Sequence, residues 1–234
     1  LYKLIPLEKV FLSDSQEAIW QLKAPNNSFF NTPEGFNFIP SDAPQREGKA
    51  TISPQLLSAF ESGDLRRVNW ISKYNDASGT LGDDSYFPYK YKVHISSTLT
   101  EYSTIFRLAE QYLIRAEARN EQGDATGAIS DLNIIRTRSR DTISNQIPNP
   151  LSNLPLTLNK DQIKSAIIQE RRVELFAEQG FRWLDLKRTN LVNSVMAIVT
   201  PFKGGTWKPE KQLWPIPESE ILNDANLQQN PGYN

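Results

Sequence analysis

The sequence predicts a mainly α-helical protein: tetratricopeptide-like helix pairs behind an irregular, loop-rich segment with a few short strands. Three observations support this. From about Thr104 the apolar residues Ile105, Leu108, Ala109, Tyr112, Leu113 and Ala116 recur at three and four residues, which is one helical stripe. Gly123 stops that helix and Asp124 caps another, whose inner face is Ala125, Ala128, Ile129, Leu132 and Ile135. The first hundred residues carry no comparable stripe and mix turn formers with aromatics. The chain therefore divides into a loop-rich segment, 1–100, and a helical scaffold, 101–234, that ends in a Pro-rich tail.

Each element follows from local chemistry. Glu17–Leu22 reads as a strand. Residues 25–38 combine Pro, Asn and Gly with four phenylalanines, and Phe36 and Phe38 alternate as strand residues would. A short helix is specified by Ser53 as cap, Pro54 at its first position, an inner face of Leu56, Leu57 and Phe60, and Gly63 as its stop. Asp64–Trp70 runs on into a second loop, 74–84. Tyr89–Ile95 alternates like a surface strand, with His94 on its polar face. Ala116 and Ala128 are small where two antiparallel helices must touch, the layout of a tetratricopeptide pair, although Tyr112 stands where that repeat prefers Trp and Arg140 where it prefers Pro. Residues 161–176 and 181–198 form a second pair, after an excursion over 143–159 rich in Pro and Asn.

Composition removes several function classes. The 234 residues carry a formal charge of −1 and no basic tract, so nothing points to nucleic acid. Cysteine is absent and His94 is the sole histidine, which leaves no thiolate nucleophile, zinc–sulfur site or multi-histidine metal centre. No cofactor motif is present. Asp76, Asp83 and Asp84 could suggest calcium, but their spacing is not that of an EF-hand loop, and a solvated turn is the expectation. The chain begins at Leu1, so the lack of a leader within it carries no weight.

Glu170, Glu174 and Glu178 lie one helical turn apart, with Arg171, Arg172 and Arg182 nearby. A glycosidase reading would take Glu170 and Glu174, or Asp83 and Asp84, as its acid pair. Arginines beside Glu170 and Glu174 would lower both pKa values and spoil a general acid, so structural ion pairing is expected there and no catalytic residue is assigned.

Four segments in order resemble a known family. They are Arg107–Ala118 with Asn133–Arg138, Glu170–Glu174 with Gly180–Arg188, Trp214–Pro217, and Gln229–Tyr233. Together they are similar to the C-terminal half of the SusD/RagB nutrient-uptake outer-membrane lipoproteins, specifically over roughly 100–234 and more loosely over 1–100. The resemblance implies an α/α superhelix of tetratricopeptide-like pairs, with both segments belonging to one C-terminal domain. It also implies a surface lipoprotein on the outward face of the outer membrane, held by a lipidated cysteine outside this sequence. Such a protein partners a SusC-like TonB-dependent transporter and delivers oligosaccharides or, in some members, peptides.

For binding, sugar-ring faces stack on aromatic planes while amides and charged groups reach the hydroxyls. Phe29, Phe30 and Phe36 among Asn26, Asn27, Asn31 and Asn37 supply that combination, and the resemblance places ligand contacts in this segment. Phe29, Phe30 and Asn31 lead as ligand contacts, with Phe36 and Trp70 beside them. Phe36 could also be core and Trp70 a packing residue, and Tyr86, Phe87 and Tyr89 fit either a rim or the core. Trp20, Trp183 and Trp214 are assigned to packing, and Trp207 is a lesser candidate. The rival reading is a helical-repeat scaffold that takes a peptide or protein partner in its groove.

Overall fold

The computed structural model describes residues 1–42, 47–74, 85–140 and 150–233. They form two compact units, Leu1–Gln179 and Gly180–Asn234. The loop-rich segment and the first helices of the scaffold fall together in the first.

In the first unit, β1 (Ala18–Leu22) pairs antiparallel with β4 (Ser103–Arg107), setting Trp20 opposite Phe106 and Leu22 opposite Ser103. β2 (Ile71–Tyr74) pairs with β3 (Ser85–Pro88), with Ile71 opposite Pro88. The helix expected from Thr104 starts four residues later, because 103–107 is taken up by β4. Tyr89–Ile95 forms no strand.

Residues 33–38 are helical where alternation suggested a strand. Thr32 Oγ1 accepts from Gly35 N at 3.0 Å and Pro33 occupies the first position, so capping chemistry overrides the Phe36–Phe38 alternation in α1 (Pro33–Phe38). Ser53 caps α2 (Pro54–Leu57) as expected, although that helix is a single turn. The Asp64–Trp70 stretch, to which the sequence assigns no element, contains α3 (Arg66–Asn69).

The longer helices match the periodicity. α4 (Leu108–Glu121) packs on α5 (Ala125–Ser139), and α6 (Lys160–Glu174) packs against both. Ala116 and Ala128 are fully buried, as close helix approach requires. Asp131 on α5 takes Arg115 and Arg119 from α4 at 2.6 and 2.9 Å, and Asn120 donates to Lys160 O at 3.1 Å. An Asn159–Gln162 capping box starts α6. Its C-terminal end joins a core built largely from the irregular half: Leu7, Val10, Phe11, Phe60, Trp70 and Tyr91 pack with Val173 and Phe176.

The second unit opens at Gly180, whose φ of 71° is left-handed. The single helix expected over 181–198 is two, α7 (Phe181–Arg188) and α8 (Val192–Val199), broken where Asn190 takes a φ of 59°. Trp183 meets Trp207 edge-on at 6.2 Å, and Trp207 donates to Asn193 Oδ1. Gln229 clamps both backbone groups of Ile216 ahead of α9 (Glu218–Asn223). Trp214, assigned to packing from its motif, is 80% exposed. No helix among the described residues is long and apolar enough to cross a membrane.

Candidate functional site

The candidate site is a small aromatic cluster assembled from three stretches of the first unit. A turn at 25–28, closed by Ser28 N donating to Pro25 O, delivers Phe29 and Phe30. Ser28 Oγ donates to Phe30 O at 2.6 Å and fixes the exit from that turn. α1 then supplies Phe36, and the 94–98 loop is tied alongside by Ser96 N donating to Phe29 O at 2.9 Å.

The rings pack in an ordered way. Phe30 and Phe36 stack at 5.1 Å and 26°, and His94 continues the stack on Phe36 at 5.5 Å and 25°. Phe29 stands edge-on to both phenylalanines, at 5.0 and 5.5 Å. Phe29 is 57% exposed while Phe30 and Phe36 are half-buried beneath it. The result is one presented aromatic surface on a supporting stack. Lys49 lies 5.6 Å from the Phe36 centroid, its ammonium donating to Phe36 O and Ile39 O at 2.7 and 2.8 Å.

Three expected contacts are therefore brought together, and two are not. Asn31 is 1% exposed and its amide is fully used. Nδ2 donates to Ser96 O and Thr98 O, and Oδ1 accepts from Thr100 N and Glu101 N. It staples the platform loop to the 96–101 segment and has no atom to offer a ligand. Trp70 is fully buried. Its Nε1 donates to Leu7 O at 3.1 Å, and the ring faces Lys90 at 4.5 Å with Arg107 and Arg138 beyond. A ring enclosed by cations serves the core and presents no face to a ligand. Trp20, expected to pack, is half exposed and pairs with Phe106 at 5.7 Å on the β1–β4 sheet.

Sequence reasoning missed His94 and Lys49 at the platform. Neither carries a local signal, since both reach Phe36 only through the fold. The calcium question at 76–84 lies outside the described residues, and among the described residues no acidic or histidine group is arranged for a metal ion.

Of the two acid pairs a glycosidase reading would take, Glu170 and Glu174 are buried, and Asp83 and Asp84 lie outside the described residues. Glu174 accepts from Arg66 at 2.8 Å, Arg107 at 2.6 Å, and Arg138. Glu170 accepts from Arg66 and from Arg136 at 3.3 Å. Glu178 takes Arg107 at 2.8 Å and Lys90. The arginine partners come from α3, β4 and α5 and Lys90 from the loop after β3, whereas Arg172 donates to Gln55 O. The expectation that both acids are lowered holds for one only. Burial alone would raise Glu174, but Arg138, Arg107 and Arg66 overcome it and hold it well below the usual carboxylate range. For Glu170 burial outweighs Arg66 and Arg136, with Asp64 nearby adding to the upward push.

A family model described as the SusD family matches residues 55–233. The chain is 31% identical over 218 residues to SusD-like protein P38 of Formosa agariphila, a match covering 92% of this chain and 39% of that protein. It is 30% identical over 192 residues to the starch-binding protein SusD of Bacteroides thetaiotaomicron, covering 80% of this chain and 29% of that one. Surface glycan-binding protein A from Bacteroides thetaiotaomicron, solved in complex with laminarihexaose, shares the fold at a TM-score of 0.66 and 21% identity, over 98% of this chain and 56% of that one. The chain thus spans less than half the length of either curated relative. Since the family match takes in most of its residues, scaffold and tail alike, the chain belongs to the SusD family.

Proposed function

We propose that this protein binds oligosaccharide without chemically altering it, on the outward face of a bacterial outer membrane, and passes it to a SusC-like TonB-dependent transporter. The observation that carries the binding step is the exposed Phe29 ring standing on the Phe30–Phe36–His94 stack. Such a ring offers the C–H face of a sugar a flat apolar surface that is already in place before binding. Relatives named as starch-binding and as bound to laminarihexaose support the ligand class. Location and transporter rest on family membership. A non-catalytic role is supported by the burial of Glu170 and Glu174, since a general acid must reach its substrate.

Replacing Phe29 by alanine should weaken glycan binding about tenfold, roughly 1.4 kcal/mol, and leave the Tm unchanged. Affinity electrophoresis across a panel of polysaccharides measures this. Equal retention of the two proteins on every polysaccharide would remove the site. A second reading, docking of a protein or peptide, is favoured by the exposed Trp20–Phe106 pair. It predicts peptide retention that Trp20→Ala abolishes and Phe29→Ala does not.

A further inference from the structure

We infer that the Phe29 platform selects neutral glycans, whose ring substituents are hydroxyls, and rejects chains carrying sulfate or carboxylate groups. This deepens the glycan-binding reading above and rests on it. The reason is how the segments that build the platform dispose of their charges.

Among the described residues, the cations close to the stack are committed inward. Lys49 gives its ammonium to two backbone carbonyls of the α1 end and lies 3.8 Å from Glu47, with little of its side chain exposed. Lys92 donates to Asn69 O and Tyr89 O, and Lys90 is buried against Glu178. His94 lies flat on Phe36, and burial together with Lys49 moves its pKa below the usual imidazole value, so it is neutral at neutral pH. The acids are committed in the same way. Glu34 accepts from Ser103 Oγ at 2.8 Å, and Glu101 accepts from the backbone of Lys92 and Val93. Among the described residues of these segments, the exposed cation without such a tie is Lys23, just beyond β1.

Among the described residues, those exposed beside Phe29 in its turn, on α1 and on the 94–98 loop are uncharged. Asn26 and Asn27 precede it in the turn, Asn37 ends on the outer side of α1, and Ser97 and Thr98 follow the Ser96 tie. Amides and hydroxyls both donate and accept, as sugar hydroxyls do. A sulfate or carboxylate only accepts and must exchange its hydration for cationic donors, which the described residues of the platform do not present. Brought over the ring, it would also meet the negative face of the π system, whereas sugar C–H groups meet it favourably.

The test uses the whole chain and neutral polysaccharides, each paired with a chemically sulfated form of the same backbone. The quantity read is the Phe29-dependent retention, the difference between wild type and Phe29→Ala at low and high salt. Should Phe29→Ala lower the Tm, Phe29→Leu keeps the packing on Phe30 and removes only the flat face. The expected result is Phe29-dependent retention on a neutral polymer that salt does not change and that weakens tenfold or more on sulfation. Phe29-dependent retention as strong or stronger on the sulfated partner would overturn the neutral selectivity and leave glycan binding standing. Absence of Phe29-dependent retention on both members of every pair would overturn the glycan-binding reading itself.

Discussion

Arg66 and Glu174 are 108 residues apart in the chain and meet at 2.8 Å with neither side chain exposed. Arg66 also takes Asp64 in a bidentate pair and reaches Glu170, while Glu174 also receives Arg107 and Arg138. The cluster thereby joins α3, β4, α5 and α6. Removing one member of a buried set costs more than the pair contributes, because the groups left behind are charged and cannot reach water. Glu174→Gln should destabilise the protein by about 3–5 kcal/mol in urea unfolding. Glu121→Gln, which breaks the exposed 2.7 Å pair with Lys160, should leave the midpoint where it is. Equal effects would show that burial does not set the strength of these pairs.

The cluster also sets the response to acid. Glu174 and Glu178 are lowered in the fold, so the unfolded chain takes up their protons first, and the stability they supply is lost as pH falls below about 4.3. Glu170 is raised, so its protonation on the way down favours the folded state. Glu101, raised by burial, acts in the same direction, so a Tm-against-pH curve should rise slightly before its acid collapse, and Glu170→Gln should reduce the rise while leaving the collapse.

The alkaline limb has the opposite origin. Burial pushes Lys90 and Lys92 down to about 8 against the pull of Glu178 and Glu101. Between that value and about 10.4 the unfolded chain holds more protons, so stability should increase with pH. Above about 10 the buried Tyr91 hydroxyl, raised by its burial, reverses the trend. Lys90→Met should flatten the increase.

Trp70 and Phe29 look alike in sequence, each an aromatic beside a turn-rich stretch, and should behave oppositely on substitution. Trp70→Phe leaves Leu7 O without its buried donor, a loss of about 1–3 kcal/mol, and should not alter glycan affinity. A weakened affinity at unchanged stability would return Trp70 to the site.

Gly35 supports the platform by its lack of a side chain. A Cβ there would sit 2.3 Å from Val93 O, because α1 lies directly on the loop that brings His94 under the stack. Gly35→Ala should therefore lower the Tm and, by displacing Phe36, weaken glycan retention as well. Retention equal to wild type would show that the stack does not depend on that close approach.

Local chemistry made the helices readable. α4 and α5 carry periodic apolar stripes with a cap at Asp124, and the structure places them accordingly. Where two local signals conflicted, at 32–38, the capping threonine and proline outweighed the alternation of Phe36 and Phe38. The aromatic cluster was half readable: Phe29, Phe30 and Phe36 are near in sequence, but nothing local marks His94 and Lys49 as their neighbours.

By itself the sequence determined that Glu170 and Glu174 share one side of a helix, since residues four apart on a helix are neighbours. Adjacent positions point in different directions, so the same spacing could not say which cations would meet them. Only the tertiary structure brought Arg66, Arg107, Arg136 and Arg138 to those acids, enclosed Trp70 and Asn31, and left Phe29 at the surface. Burial depends on which distant segments fold over a residue, so of two aromatics that each lie beside a turn-rich stretch, Trp70 is buried and Phe29 exposed.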